Sequence, residues 1–425
     1  MKFQAARGTH DILPFDPQRA DRSLDSYLWR QVEDKFAILA RQYGYDEIET
    51  PAFEETDLFC RTSGETSDIV TKQMYTFEDK GGRSLTLKPE GTAPVMRAIL
   101  EHSLLSQGSV LKLWYYTTIF RYERPQKGRY RQAHQLGCEL LGVGSPKADA
   151  EIIEFATRFY QSLGLSGIVA SINCIGRQAT REKYRGALLG YAESYLAGLD
   201  TESRAKIERN PLRLLDSKDP AALEALAGAP SVLDYLEDES RVHFDELQTL
   251  LTEAGIPYQV SPEIVRGLDY YTDTVFEVLS TDLGAQSALC GGGRYDGLVK
   301  DMGGPPTPSV GFALGIERCC MVMQSQGLIG EPRGPDAVVI VAAPAAEQPA
   351  RTLLNRLRQK GFSVQTELSG KSLKGQLKWA DKVRAKVALI LGEDELVKNV
   401  VTFRTMASGE QVEVGLDAIE EKLRS

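Results

Sequence analysis

Residues 120–140, FRYERPQKGRYRQAHQLGCEL, gather four arginines and a lysine around one turn and follow them with a glutamate. Two extended arms, 112–123 and 131–141, flank PQKG, whose Pro125 and Gly128 are turn residues, so the spacing predicts an antiparallel hairpin with a basic tip. Strand alternation sorts the second arm: Leu136, Cys138 and Leu140 share an apolar face suited to burial, while Gln135, Gly137 and Glu139 share the other. On that second face Gly137 leaves open floor between an amide and a carboxylate, and Arg121 on the first arm projects from the same side. A carboxylate, an amide and a guanidinium around an empty patch suit an ammonium, a polar group and a phosphate. A solvated hairpin face with a few weak ion pairs fits the same residues. Taken alone, the stretch allows both.

Four further segments carry residues of the same chemical kind. LKPEGTAPVMRA (87–98) sets Glu90 and Thr92 after a strand, with a helix expected to begin near Pro94. Glu90 there would serve equally as an acid at a helix N-terminus. VRGLDYYTDTVFEV (265–278) sets Arg266 and the Tyr270–Tyr271 pair before an alternating strand, although tyrosine pairs also pack cores. ALCGGGRYDGLV (288–299) has three successive glycines, which fit a close backbone approach or a packing turn and form no dinucleotide fingerprint. SVGFALGIERCCMVM (309–323) predicts a strand, then a helix with Arg318 in its first turn, which is unfavourable unless an anion sits there. GKS at 370–372 fails as a phosphate loop because Gln365 stands where the motif requires glycine.

The elements that must position these residues fall into two blocks. A helix is expected over DRSLDSYLWRQVEDKFAILARQYGY, with Val32, Phe36, Leu39 and Ala40 at helical spacing and Gly44 ending it. Strand-like segments occur at 85–89 and 109–123, helices dominate from about 147 to 260, and strands return at 264–315. The polar stretch 201–240 has the composition of an insertion rather than core. RGPD (333–336) is expected to be a linker. From Ala337, strands alternate with helices, which predicts a small α/β domain with neighbouring parallel strands.

Composition narrows the classes. The 425 residues are 42% hydrophobic and 26% charged, ordinary for a soluble globular protein of two or three domains. A net charge of −9 argues against indiscriminate nucleic-acid binding but leaves room for local basic surfaces. Two such surfaces exist. Residues 112–135 hold six basic side chains against one acid, with Tyr122 and Tyr130 interleaved, and residues 369–387 hold six against one, with Trp379 among them. Cations beside aromatic rings suit phosphate contacts and base stacking; for the second stretch a solvated helix face is the plainer alternative. Six scattered cysteines without CxxC spacing suggest reduced thiols, and four histidines without a cluster predict no structural zinc site. The N-terminus lacks the apolar core of a signal peptide and no stretch is long enough to span a membrane, so a cytoplasmic location is expected.

RGTHDILP (7–14), LKPEGT, FRYERPQKGRYRQAHQLGCE, RGLDYYTDTVFE, CGGGRYDGL and VGFALGIER together resemble, in order and over nearly the whole chain, the class II aminoacyl-tRNA synthetases. The pair RGLDYY and CGGGRYDGL is similar to the histidyl-tRNA synthetase family within that class. Ala133 departs from the family's large aromatic residue, and Lys88 stands where arginine is commoner. The resemblance implies an α/β protein. Residues 1–330 would be an α+β catalytic domain with an antiparallel sheet and a helical insertion at about 172–262, and residues 335–425 an anticodon-binding α/β domain. It implies ATP-dependent ligation of L-histidine to tRNA(His) through a histidyl-adenylate, with ATP and Mg²⁺, in a homodimer whose interface would involve the helix and strand ending near Pro51. By the same resemblance Arg121 and Arg266 would be catalytic, and Arg121, Arg129, Tyr130 and Arg318 would bind ATP. Glu90, Thr92, Gln135, Glu139, Arg266, Tyr270 and Tyr271 would bind histidine, with Glu139 and Gln135 on its ammonium. Arg124, Gln126, Lys127, Lys378 and Trp379 would touch tRNA, and no metal would be held by protein ligands alone. A non-catalytic, histidine-sensing relative is the main rival, disfavoured by the three retained arginines and the extra domain.

Overall fold

Two units, Met1–Gly330 and Glu331–Ser425, make up the chain. The computed structural model describes residues 3–63, 67, 69–107, 110–124, 128–200, 204, 207–208, 211–215, 220–264, 270–280 and 288–424. In the first unit, β1 (Asp46–Glu47) is followed by β2 (Phe53–Glu55), β3 (Tyr75–Glu78) and β4 (Ser84–Leu87), and the last three form a small antiparallel sheet. Next come β5 (Leu111–Phe120), β6 (Gln132–Leu141), β7 (Ile168–Cys174), β8 (Tyr258–Val260), β9 (Thr272–Ser280), β10 (Ala288–Arg294) and β11 (Ser309–Gly315). These seven and β1 build one sheet in the order β1-β5-β6-β11-β10-β9-β7-β8, antiparallel except at its two outermost pairs.

One face of this sheet is dry. Leu28, Val32, Phe36 and Ala40 recur every four residues along the helix Ser26–Tyr43 and are buried, and Gly44 closes it at φ +76°. A second helix, Pro146–Ser162, starts with proline at its first turn, where the missing N–H costs nothing. The Phe36 ring meets Phe155 and Phe159 at 5.1 and 5.0 Å, and Leu136, Cys138 and Leu140 of β6 join the same cluster, as strand alternation predicts. Truncating a ring such as Phe36 to alanine would cost about 3–5 kcal/mol. Arg294, almost fully buried at the end of β10, pairs with Asp149 of the second helix and bonds the Val143 carbonyl at 3.1 Å. It ties helix to sheet.

The hairpin arms are shorter than their composition suggests. β5 ends at Phe120; Arg121 N–H still reaches across to the Arg131 carbonyl, and beyond it the donors are diverted, Tyr122 N–H to the Gln73 carbonyl and Glu123 N–H to that of Arg121. The triple glycine is neither turn nor loop. It lies within β10 in the interior of the sheet, where a side chain at Gly292 would overlap the Gly311 carbonyl and Phe312.

Helical structure inserted after β7 has a core of its own, made by Tyr184, Leu188, Ala192, Leu196, Leu214 and Val232. The expected bounds 172–262 are too wide: Ile172–Cys174 pair within the sheet, and Phe244, Leu247 and Leu251 of the helix Asp238–Glu253 belong to the main core. Buried Leu214 and Val232 also show that 201–240 is not wholly surface, among its described residues.

In the second unit, β12 (Ala337–Val341), β13 (Val364–Thr366), β14 (Val387–Leu391), β15 (Val400–Thr405) and β16 (Gln411–Gly415) form a sheet of order β13-β12-β14-β15-β16. The first three are parallel, as their intervening helices require, and β15 and β16 add an antiparallel hairpin that the pattern did not announce. The RGPD stretch is docked rather than loose. Asp336 accepts from Ser363 N–H at 3.0 Å and from Lys386 Nζ at 2.7 Å, and Gly334 lies so close to the Arg384 carbonyl that no side chain fits.

Candidate active site

The other face of the large sheet packs a second buried cluster, including Val95, Met96, Ile99, Tyr115 and Tyr295, around a buried carboxylate. Glu139 on β6 accepts hydrogen bonds from Thr92 Oγ1 at 2.8 Å, Tyr115 OH at 3.2 Å and the Tyr295 hydroxyl. It has no exposed surface, and burial pushes its carboxyl up to about 8 despite those three donors. Room for it is made by Gly311, its partner across β6 and β11, where any side chain would collide with the carboxylate.

Gly137 does not leave open floor. Its cross-strand partner on β5 is Tyr115, whose ring lies over it and over Gly91, so that a Cβ at either glycine would overlap the ring. The empty patch expected from Gly137 is instead the seat of an aromatic ring that carries a hydroxyl to Glu139.

Above this layer is a cavity of about 120 Å³ lined by Glu90, Thr92, Arg121, Gln135, Tyr270, Tyr271 and Tyr295, with Gly291 and Gly311 as bare backbone. Glu90 caps a helix that begins two residues earlier than expected, Thr92–Glu101: its two oxygens accept from the Thr92 and Ala93 N–H groups at 2.7 and 2.8 Å. It therefore serves the helix N-terminus and the cavity wall together. Burial raises its carboxyl above the usual range, and the two amides and Arg121 oppose that shift. Arg121, just past β5, is aimed by a bond from its Nε to the Pro89 carbonyl at 2.7 Å. Gln135 Oε1 is buried with no hydrogen-bond partner. Tyr270 and Tyr271 pack with centroids 4.7 Å apart, and Tyr295 closes the group at 5.6 Å from Tyr270.

A second basic group lies at the same end of the sheet. Arg318 follows β11 as Arg121 follows β5, on either side of β6. Its Nη1 bonds the Ala288 carbonyl at 2.5 Å, and its guanidinium is held below its ordinary value by burial and then by the like charge of Arg129. Arg129 has Glu123 at 3.6 Å, and Tyr130 packs against His10 with centroids 4.4 Å apart. Two cations that repel one another at a helix start are electrostatically ready for an anion. Arg124 and Tyr122 are exposed, and the Arg131 guanidinium lies 3.9 Å over the Tyr122 ring.

Of the residues singled out from sequence, Glu90, Thr92, Arg121, Gln135, Tyr270 and Tyr271 line one cavity, while Glu139 stands one layer behind, reached through the hydroxyls of Thr92 and Tyr295. Arg266, Gln126 and Lys127 lie outside the described residues. Lys378 is exposed on the helix Leu373–Lys382, and Trp379 is half-buried against the apolar cluster that includes Ala380, Ala388 and Ile390. Lys88, the departure from arginine, is buried and bonds the Thr50 carbonyl at 3.0 Å. Sequence reasoning missed Tyr115 and Tyr295. Tyr295 sits in CGGGRYDGL and Tyr115 in the alternating LKLWYYTTIF, so the signal for Tyr115 was an aromatic residue facing glycine across a hairpin.

The model of the family described as histidyl-tRNA synthetase matches residues 24–319, and that of the anticodon binding domain matches residues 336–425. The histidine--tRNA ligase of Protochlamydia amoebophila is 46% identical over all of both chains. This chain belongs to the histidyl-tRNA synthetase family. The corresponding ligase of Cyanothece sp. is 48% identical over 96% of this chain and 93% of its own length. Among solved structures, the histidyl-tRNA synthetase of S. aureus superposes with a TM-score of 0.83 at 35% identity, covering 100% of both chains. Family membership accounts for a large antiparallel sheet and a C-terminal α/β unit in one polypeptide. No helix among the described residues is long and apolar enough to cross a membrane.

Proposed function

We propose that this chain joins L-histidine to tRNA(His) in two steps at the cavity on the large sheet. In the first, the histidine carboxylate attacks the α-phosphorus of ATP, forming histidyl-adenylate and releasing pyrophosphate. In the second, a ribose hydroxyl of the tRNA 3′ end attacks the acyl carbon and AMP leaves.

The observation that carries this reading is the buried, unpartnered Gln135 Oε1 on a wall shared with the Glu90 carboxylate and the Arg121 guanidinium. An acceptor without a donor is costly, and an α-ammonium lodged between Gln135 and Glu90 supplies the missing N–H. That assigns the ammonium to Glu90 and Gln135. Glu139 acts as a positioning residue, holding the Thr92 and Tyr295 hydroxyls toward the side chain of the amino acid. Tyr270, Tyr271 and Tyr295 offer ring faces and edges to an imidazole.

The carboxylate is already ionised at neutral pH, since an α-carboxyl has a pKa near roughly 3.5, so the first step needs no general base. Its difficulty is bringing an anion to a polyanion. Arg121 beside the cavity, with Arg266, offsets that repulsion and stabilises charge on the α-phosphoryl oxygens; Arg318 and Arg129 take the outer phosphates, with Tyr130 beside them. Mg²⁺ arrives with ATP as part of the substrate. Arg124, Gln126 and Lys127 guide the acceptor end of the tRNA, while Lys378 and Trp379 belong to anticodon binding. The enzyme works as a cytoplasmic homodimer.

Pyrophosphate exchange into ATP, run with each of the twenty amino acids, tests the reading. Exchange is expected with histidine alone, and Gln135→Ala should raise the histidine KM by at least about tenfold, the loss of one hydrogen bond to a charged group. Exchange with another amino acid, or none with histidine, would overturn it.

A further inference from the structure

Three groups the mechanism does not use meet beneath the hairpin. His10 comes from the N-terminal segment, His134 from β6 and Glu317 from the first turn of the helix Ile316–Ser325, and one ligand atom from each lies within 4.8 Å of the other two. His134 Nδ1 is 3.0 Å from Glu317 Oε1, and His10 Nε2 is 3.8 Å from the same oxygen. Bonds of about 2.0–2.2 Å at tetrahedral angles put donor atoms about 3.4 Å apart, so the cluster brackets the spacing a zinc-class ion requires.

The second observation concerns His10 alone. Its side chain is only 8% exposed, and both ring nitrogens are buried with no hydrogen-bond partner. Orphaned buried nitrogens are rare and point to a missing water or ion. Trp29, Tyr130 and Tyr116 wall the cluster, with centroids 4.9 Å from Trp29 to His134 and 4.4 Å from Tyr130 to His10. Such a shell limits water around the ligands. Glu317 is held in place independently, accepting the His134 backbone N–H at 3.0 Å.

We propose that His10, His134 and Glu317 form a binding site for one divalent transition-metal ion of the zinc class, which clamps the N-terminal segment to β6 and to the helix that carries Arg318. Histidine and carboxylate are the ligand set such ions favour, with water completing the coordination. No spacing in the sequence announces the site, because its ligands come from three distant segments. The N-terminal segment is already tethered nearby, since the Gly8 carbonyl accepts the Arg131 N–H at 2.7 Å. A metal at His10 would therefore stiffen the base of the hairpin.

The test uses the full chain, stripped with chelator and titrated with Zn²⁺ by calorimetry without ATP, then with Co²⁺ followed by visible absorption. Expected are one Zn²⁺ per chain, a melting temperature that rises with Zn²⁺ concentration, and a Co²⁺ spectrum without a sulfur charge-transfer band. His10→Ala and Glu317→Gln should each weaken binding by at least about tenfold, with unchanged circular dichroism excluding misfolding as the cause. Because His10 belongs to no helix or strand, its variant remains informative if the Glu317 variant does not fold. Absence of binding at submillimolar Zn²⁺, binding untouched by His10→Ala, or a cobalt–thiolate band would each overturn the site.

Discussion

At the scale of single residues, the site face of the sheet is governed by where a charge is left without solvent. Glu139 shows the consequence in titration. Its carboxyl sits at about 8 in the folded protein, above its ordinary value of 4.5, because burial outweighs three hydroxyl donors. Between those values the folded chain holds a proton that the unfolded chain has released, so stability falls as pH rises through that window and levels off above about 8. The slope from this group reaches at most about 1.4 kcal/mol per pH unit. Melting curves from pH 5 to pH 8 should therefore decline more steeply for the natural chain than for Glu139→Gln, whose amide resembles the protonated acid. Parallel curves would show that Glu139 is ionised throughout. Asp149 behaves oppositely although it is equally buried: His243 and Arg294 outweigh desolvation and hold its carboxyl below the usual range. A buried carboxylate beside cations is structural glue, whereas Glu139 beside hydroxyls fixes the direction of the Thr92 and Tyr295 groups that line the cavity.

At the scale of elements, the site is a product of register, and register decides what the sequence could reveal. Alternation along β6 was legible, because a period of two needs no partner: Leu136, Cys138 and Leu140 face the core and Gln135, Gly137 and Glu139 face away. What stands opposite each residue was not legible, because it depends on where the arms of the hairpin end. The chain leaves β5 at Phe120, Tyr115 falls across from Gly137, and a supposed vacancy is filled by its ring. Gly311 was hidden for the same reason, since only pairing with Glu139 explains its lack of a side chain. The insertion was blurred by helix signals that do not distinguish a separate core from the main one, as the helix Asp238–Glu253 shows. Gly311→Ala tests the register argument. The added methyl must displace the Glu139 carboxylate from its hydroxyls, so the histidine KM should rise by about tenfold or more while the KM for ATP stays within about twofold. Overpacking should also lower stability by about 1–3 kcal/mol, measured by denaturant unfolding. Equal losses for both substrates would show that the methyl damages the whole sheet rather than the amino-acid side.

At the scale of the whole molecule, the two units divide the charge between them. The second has its own hydrophobic core on each face of its sheet, so it has the physical means to fold by itself. Its basic stretch is less available than composition implies, because Lys386 pairs with Asp336, Arg384 with Glu331 and Lys371 with Glu367. Lys374, Lys378 and Lys382 remain, exposed at four-residue spacing on one face of the helix Leu373–Lys382, with no ion-pair partner among the described residues. Such a stripe can follow a phosphate backbone, and each contact it makes should release condensed counterions. If the stripe holds tRNA, changing all three lysines to glutamine should flatten the dependence of log Kd on log salt by about 0.7 per lost contact. Pyrophosphate exchange would be unaffected, because those side chains have no part in adenylate formation. A salt slope equal to that of the natural chain would assign the stripe to solvent. Trp379 sharpens the comparison: it is partly buried against the apolar cluster under the helix, so Trp379→Leu, which keeps an apolar side chain there without the ring, separates stacking on a base from support of the helix. Lost tRNA affinity with an unchanged melting temperature would mean that the exposed part of the ring meets RNA.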